Sequence, residues 1–172
     1  MADCGQRRSR MKIGVISDTH LRSGFDPLVE SLKRALGEVE LIFHCGDWVS
    51  LELLEALQRH GWKVVGVSGN MDSPEVSRVL PQRREMELEG KRLGLVHGWG
   101  APHGIEGRVM GLFHGIDVII FGHTHSPFWG KREGVWLFNP GAACGWGNPR
   151  GRTVGILDVG EEVKAQVIVL EG

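Results

Sequence analysis

The sequence predicts an α/β fold in which two mixed β-sheets pack against each other with helices on their outer sides. Three observations predict it: apolar, β-branched runs recur along the whole chain, helix signals separate the early runs, and short glycine-containing links separate the late ones. Runs of this kind are typical of largely buried strands. The five clearest cover residues 12–17, 41–45, 63–68, 93–96 and 118–121.

The first half of the chain predicts alternating strands and helices. Asp26 is expected to cap a helix that has Pro27 at its first position and Gly37 just past its end. Ser50 is expected to cap a second helix that Gly61 ends. Because strand, helix, strand, helix and strand follow one another, we expect these strands to run parallel.

The second half predicts hairpins. Strand-like segments follow one another there across short links such as Glu89-Gly90 and Val159-Gly160. The segments are MELEG, KRLGLV, VWLFN, TVGILDV and AQVIVL. Only residues 102–115 offer room for a further helix, and four glycines weaken that prediction.

Length and composition bound the domain organisation. The chain has 172 residues, of which 41% are hydrophobic and 24% charged, values that suit a folded chain with a substantial core. Residues 1–10 are polar and lack periodicity, so we expect a flexible arm over 1–10 and a single domain over 11–172.

Charge and cysteine usage exclude several classes of protein. Lysine plus arginine (20) nearly balances aspartate plus glutamate (21), so no overall positive field favours a nucleic-acid partner. The three cysteines are odd in number and match neither a disulfide framework nor a zinc ribbon, which favours a reducing compartment. With no apolar run near the ~20 residues of a membrane span, we expect a cytoplasmic protein with no membrane partner.

Metal-binding side chains follow five of the predicted strands. Each lies within a few residues of the carboxyl end of its strand, which is the edge where open α/β sheets bind ligands. The candidate residues are Asp18, His20, Asp47, Asn70, His97, His123 and His125. Any one of them alone would be read as a turn, cap or structural histidine. If all of them were structural, five strands would each end in such a residue by coincidence. We therefore favour a single metal-binding site.

The ligand chemistry suits two metals better than one. Seven candidate ligands exceed the four of a tetrahedral zinc site, and sharing Asp47 as a bridge would give each cation about four protein ligands. Nitrogen-rich ligation without thiolate favours Mn, which we place first, and then Fe, Ni, Zn or Co.

The expected reaction is hydrolysis of a phosphate ester. Two aspartates against two divalent cations leave a local positive excess that attracts an anion. A bridging hydroxide at neutral pH can attack phosphorus in line, so no serine or cysteine nucleophile is needed. We expect Asp47, Asn70 and His97 to contribute to catalysis by positioning the metals and the phosphate.

Other residues are expected to be structural. His44 lies within a strand and His60 at a helix end, and Cys45 is expected in the core. Leu51, Leu54 and Leu57 form a helix stripe that predicts a core face.

The motifs DTH, GDWV, GNMD, HG and GHTH, in this order, resemble the calcineurin-like metallophosphoesterase superfamily. The opening MKIGVISDTH and the later FNPGA further resemble its small YfcE-like phosphodiesterase branch. The resemblance implies a four-layer αββα sandwich. It also implies one metal held by Asp18, His20, Asp47 and His125, and a second held by Asp47, Asn70, His97 and His123.

Two positions depart from the family pattern. Met71 stands where the broader superfamily often has a histidine that assists the leaving group, and a thioether cannot donate a proton. Trp99 stands where relatives of the branch often have a second histidine. His103 is the nearby imidazole that could take over as a catalytic group, and its alternative interpretation is a solvated loop residue.

Two other classes of function stay open beside the enzyme. One is a metal-binding protein-interaction scaffold, because the same fold resembles a retromer subunit without established catalysis. The other is a nuclease that would use scattered aromatic and basic residues, namely Trp129, Trp136, Trp146, Lys131, Arg132, Arg150 and Arg152. Retention of all seven candidate ligands favours the enzyme. Its expected partner is a small phosphate ester, and a homodimer or homotetramer is compatible with the sequence.

Overall fold

The computed structural model describes residues 10–171, which form ten β-strands and four α-helices. In chain order the strands are β1 (Met11–Ile16), β2 (Leu41–His44), β3 (Lys63–Gly66), β4 (Arg83–Leu88), β5 (Lys91–Val96), β6 (Val118–Ile120), β7 (Phe128–Arg132), β8 (Val135–Asn139), β9 (Thr153–Val159) and β10 (Val163–Val169). The helices are α1 (Asp26–Leu36), α2 (Glu52–Arg59), α3 (Pro74–Val79) and α4 (Ile105–Met110).

The first sheet has the order β10-β9-β1-β2-β3. Strands β1, β2 and β3 are parallel, with Ile13 opposite Leu41 and Leu41 opposite Lys63. The hairpin of β9 and β10 adds antiparallel strands at the β1 edge. The predicted parallel start is therefore confirmed, and the carboxyl ends of three strands meet at one edge.

The second sheet has the order β4-β5-β6-β8-β7. Its central strands β5, β6 and β8 are parallel, while β4 and β7 pair antiparallel at the two edges. The β4–β5 turn is the predicted Glu89-Gly90 link, in which both residues have positive φ, as a tight hairpin turn requires.

The two sheets pack face to face around a core of buried side chains. Ile13 and Phe43 from the first sheet meet Leu95, Ile120 and Phe138 from the second. Helices α1, α2 and α3 cover the outer face of the first sheet, and α4 covers the outer face of the second. This is the expected four-layer αββα sandwich. No helix among residues 10–171 is long and apolar enough to cross a membrane.

Local details differ from the sequence prediction. Asp26 does not cap α1: it is the first helical residue, and the capping position falls on Phe25 without a side-chain hydrogen bond. The second capping position falls on Leu51, although the Ser50 Oγ still accepts from the Glu52 N–H at 3.2 Å. The further helix predicted within residues 102–115 is α4, whereas α3, which Ser73 caps before Pro74, was not predicted.

Two more features were not predicted correctly. Strand β7 was missed because its sequence FWGKR has two basic residues and an internal glycine. The fully buried face of α2 is Leu53, Ala56 and Leu57, while Leu51 and Leu54 are only partly buried.

The predicted arm lies outside the described residues except for Arg10, which pairs with Asp158.

Candidate metal centre

The seven candidate residues meet at one edge of the sandwich, in the segments that follow β1, β2, β3, β5 and β6. Because the parallel strands end in register, the segments after them converge from both sheets. The side chains form two groups, which we call the acidic half-site (Asp18, His20 and His125) and the neutral half-site (Asn70, His97 and His123).

The acidic half-site is compact and largely buried. His125 Nε2 lies 3.1 Å and His20 Nε2 lies 3.8 Å from Asp18 Oδ1. The two imidazole Nε2 atoms are 3.4 Å apart. The three ligand atoms therefore surround a common point, as the ligands of one cation do.

The neutral half-site is centred on the Asn70 amide. Its Oδ1 lies 3.1 Å from His97 Nε2 and 3.0 Å from His123 Nδ1. His97 is buried, whereas Asn70 is exposed, so this half faces solvent.

Asp47 lies between the two half-sites. Its Oδ2 is 3.6 Å from His20 Nε2 and 3.4 Å from His97 Nε2, and its Oδ1 accepts from the Met71 N–H at 2.8 Å. Burial raises the pKa of Asp47, but contacts with His97 and the Met71 N–H outweigh it and hold the pKa below the ordinary value. This carboxylate is placed to contact both halves.

Backbone carbonyls orient three of the imidazoles. The carbonyl of Cys45 lies 2.7 Å from His97 Nδ1, that of Trp146 lies 2.6 Å from His125 Nδ1, and that of Gly100 lies 2.8 Å from His123 Nε2. A carbonyl only accepts, so each of these nitrogens carries the proton. When the ring is neutral, its opposite nitrogen keeps a lone pair that faces the centre, as metal ligation requires.

The backbone at the site is strained. Five of the seven candidates have φ between 49° and 70°, the left-handed region that side chains other than glycine rarely adopt. Each such residue costs on the order of 1–3 kcal/mol and persists where function requires it. They are Asp18, His20, Asp47, His123 and His125.

A cation fits this centre, as one buried atom shows. Asp18 is completely buried, and its Oδ2 accepts hydrogen bonds from the Ser17 hydroxyl and the His123 N–H. Its Oδ1 is the one buried side-chain oxygen or nitrogen in residues 10–171 without a hydrogen-bond partner. Leaving such an acceptor unpaired costs about 1–3 kcal/mol or more, whereas a divalent cation would satisfy it.

Two glycines allow this close packing. A Cβ on Gly69 would lie 2.2 Å from Asp47 Oδ1, and one on Gly122 would lie 1.9 Å from the Ser17 hydroxyl oxygen. Any side chain at either position would displace a carboxylate from the centre.

His103, Met71 and Trp99 occupy different surroundings. His103 is exposed, and within the described chain its ring makes no hydrogen bond or ion pair with the seven candidates. The Met71 side chain is 59% exposed beside Asn70. Trp99 is 44% exposed and lines a cavity next to His97.

Two other histidines are structural, as expected. His44 is buried and stacks on Trp48 with ring centroids 3.5 Å apart. Burial lowers the pKa of His44 well below its ordinary value, so the ring is neutral. His60 takes the C-terminal capping position of α2.

Sequence reasoning missed Asp72, which joins two of the ligand-bearing segments. Its Oδ1 accepts from the Val49 N–H and its Oδ2 from the Gly69 N–H, each at 2.7 Å. It therefore ties the segment that carries Asp47 to the segment that carries Asn70. The signal was its place in GNMD, two residues after Asn70.

Comparison with known proteins places the chain in a family. The sequence pattern of the calcineurin-like phosphoesterase superfamily domain matches residues 11–162. A probable metallophosphoesterase of Methanocaldococcus jannaschii is 36% identical over 164 residues, which cover 94% of this chain and 82% of the relative. A phosphodiesterase of the same organism is 30% identical over 180 residues, covering 94% of this chain and all of the relative.

Among solved structures, vacuolar protein sorting 29 from Cryptosporidium parvum superposes with a TM-score of 0.72 at 24% identity, covering 94% of this chain and 92% of that one. That likeness confirms the fold. The family pattern spans nearly all of the described residues, and the strand-end side chains of this chain lie together at one edge. The chain therefore belongs to the calcineurin-like phosphoesterase superfamily, a family of metal-dependent hydrolases of phosphate esters.

Proposed function

We propose that this chain is a phosphodiesterase that uses two divalent cations to hydrolyse small phosphate esters. One cation would be held by Asp18, His20, Asp47 and His125, and the other by Asp47, Asn70, His97 and His123. The observation that carries the proposal is the buried Asp18 Oδ1, which has no hydrogen-bond partner and faces the Nε2 atoms of His20 and His125.

Cations bound there would lower the pKa of water to about 7 and stabilise the charge that develops on phosphoryl oxygens. The chain's own residues would align the two cations relative to each other. Asp47 faces both half-sites, so it sets their separation, and the carbonyls of Cys45, Trp146 and Gly100 hold the imidazoles in one tautomer. In-line attack by a hydroxide held between the half-sites is the mechanism that we propose.

The site lacks a proton donor for the leaving group. Met71 cannot donate a proton, and within the described chain the His103 ring makes no hydrogen bond with the seven candidates, so we infer that neither position assists the leaving group. Esters with good leaving groups should therefore react best. The preference for diesters is supported by the phosphodiesterase of Methanocaldococcus jannaschii, which aligns over its full length.

Manganese is the metal that we place first, followed by Fe, Ni, Zn and Co. The ligands are nitrogen and oxygen atoms without thiolate, and Cys45 and Cys144 are not among the clustered ligand atoms in the described chain.

A metal-binding interaction scaffold is the alternative function. Its specific support is the fold shared with vacuolar protein sorting 29. Retention of all seven candidate ligands argues for the enzyme, because a scaffold is free to lose them.

The test combines metal analysis with substrate hydrolysis. The purified protein would be loaded with Mn, Fe, Ni, Zn or Co, its metal content measured by mass spectrometry, and the rates for bis(p-nitrophenyl) phosphate and p-nitrophenyl phosphate compared. We expect two metals per chain and faster cleavage of the diester. Full metal occupancy without turnover of either ester under any metal would favour the scaffold, and one metal per chain with full activity would contradict the paired centre.

A further inference from the structure

A cavity of about 570 Å³ opens beside the neutral half-site. Asn70 and His97 line one end of it, and the rest is formed by α3, the start of β4 and the segments after β5 and α4. The volume falls within the ~300–1,000 Å³ of small-molecule pockets. A phosphate held at Asn70 and His97 would direct one of its ester groups into this space.

The walls of the cavity are apolar with a few polar groups. Val96, Leu112 and Trp99 supply the apolar surface, and Ser68, Ser77 and Gln82 supply hydrogen-bonding groups. A flat, largely apolar group with a few heteroatoms matches this combination.

The cavity also has a positive charge. Arg83 is its formally charged residue, and no aspartate or glutamate lines it. The Arg83 Nη1 donates to the Leu112 carbonyl at 2.7 Å, and among residues 10–171 the guanidinium has no carboxylate partner. A ligand attached to an anionic phosphate is therefore attracted, and a cationic ligand is disfavoured.

Trp99 lines this space, and hydrogen bonds anchor its backbone. The Arg108 guanidinium donates to the Trp99 carbonyl at 3.0 Å and to the carbonyls of Ala101 and His103. The neighbouring Gly100 carbonyl accepts from His123. The indole itself is 44% exposed and stacks on no ring within the described residues. An exposed indole on a fixed backbone is a ready stacking surface.

We propose that this cavity, which we call the Trp99 cavity, binds a planar aromatic group carried by the phosphate ester and stacks it on the Trp99 indole. The inference rests on the proposed function, because it takes the phosphate to be held at the neutral half-site. Two sources share this chemistry, a simple aryl ester and a nucleobase, and the polar wall groups allow them to be distinguished.

Binding of phosphonates tests the Trp99 cavity without a leaving group. Phenylphosphonate and methylphosphonate carry the same anionic group on a carbon–phosphorus bond, so they differ only in the ring. Titration calorimetry on the manganese-loaded protein should show phenylphosphonate binding about tenfold more tightly, as expected for one stacked ring. Trp99→Ala should reduce this preference to within about twofold, and Trp99→Phe should retain most of it.

Trp146 provides the matched control. It is 76% exposed and lies edge-on to His20 and His125, on the acidic half of the centre and outside the cavity. Trp146→Ala should keep the preference for phenylphosphonate. A preference that survives Trp99→Ala, or that disappears in Trp146→Ala, would overturn the proposal, as would equal binding of the two phosphonates by the unaltered protein.

Adenosine 5′-thiophosphate, which is slow to hydrolyse, distinguishes the two sources. Tighter binding than phenylphosphonate that is lost in Gln82→Ala would assign a nucleobase, and equal binding unaffected by Gln82→Ala would assign a simple aryl group. The outcomes also separate this inference from the proposed function. If the protein prefers phenylphosphonate but hydrolyses no ester, the proposal for the Trp99 cavity stands and the proposed phosphodiesterase activity is refuted. If it hydrolyses diesters without preferring the ring, the phosphodiesterase stands and the proposal for the Trp99 cavity is refuted.

Discussion

The acidic half-site holds a buried carboxylate of its own, whereas the neutral half-site has only an amide and two imidazoles. The first is closed by the packing of Asp18 beneath His20 and His125, and the second opens at Asn70 into the Trp99 cavity. Asp47 contacts a histidine of each half, and Asp18 Oδ1 also lies 4.0 Å from His97 Nε2.

This difference separates two tasks that a single symmetric site would combine. A buried charge without a hydrogen-bond partner favours strong cation binding, because the cation replaces an unmet interaction. A neutral, exposed half binds its cation less tightly and leaves room for substrate. We infer that affinity for metal resides mainly on the acidic side and substrate selection mainly on the neutral side.

The largest effect should come from removing the shared residue. Asp47→Ala takes one ligand from each half, so both cations should be lost. Activity should fall by more than about 10–100-fold, which is the loss expected when only a residue that orients a metal ligand is removed. Mass spectrometry for metal and diester hydrolysis measure the two losses. Circular dichroism should show a folded protein, because Asp47 follows β2 and lies outside the core between the sheets. Full activity in this variant would refute the shared role.

The next effect distinguishes the halves by charge. Asp18→Asn keeps the shape of the side chain and removes its charge, so the tighter cation should be lost; Asn70→Ala should lose only the weaker one. Metal titration should therefore show one weakly bound metal per chain in Asp18→Asn and one tightly bound metal per chain in Asn70→Ala. Equal affinities in the two variants would show that the halves do not differ in affinity.

A smaller effect is expected from the missing proton donor on the neutral side. With Met71 beside Asn70, rates should depend steeply on leaving-group pKa, and nitrophenyl esters should react far faster than alkyl esters. Met71→His should raise the slow alkyl rates by about tenfold or more and flatten the dependence, if the imidazole reaches the leaving oxygen. His103→Ala is the control and should change nothing. A steeper dependence in His103→Ala would mean that His103 is the acid.

The smallest effect concerns stability of the metal-free protein. The Asp18 carboxylate beside His125 raises the pKa of that imidazole. Burial lowers the pKa of His97, but Asp47 and Asp18 outweigh it and the net shift is upward. Folding therefore gains stability from both imidazolium ions below the ordinary pKa of 6.5, and loses it as pH rises through the raised values.

Urea unfolding in chelator should accordingly show stability that declines from pH 6 toward pH 8. Bound metal should reverse the trend, because ligation requires the deprotonated rings. Asp18→Asn removes the partner of His125 and should flatten the decline in the metal-free protein. A metal-free stability that rises over this interval would contradict the assigned shifts.

The sequence predicted the strands and the site better than it predicted the details around them. Hydrophobic runs mark buried strands directly, and in-register parallel strands bring residues such as Asp18 and Asp47 together without further information. Strand β7 and helix α3 were missed because both are short, and tertiary packing decides such segments more than local preference does.

The outer interactions of the site could not be predicted for a different reason. The carbonyls of Cys45, Gly100 and Trp146 belong to the backbone, and no pattern of side chains reveals which carbonyl meets which ring. Asp72 was visible as a residue, but its two acceptor contacts join segments that only the fold brings together.

The left-handed backbone at the ligands has a consequence for how this protein can evolve. Glycine removes a penalty of about 1–2 kcal/mol at each such position, so His20→Gly should give a more stable metal-free protein than His20→Ala. Selection for heat resistance alone would therefore favour glycine at these positions and remove the candidate metal ligands. Selection for function would oppose that drift, and thermostability engineering of this chain should leave all five positions unchanged.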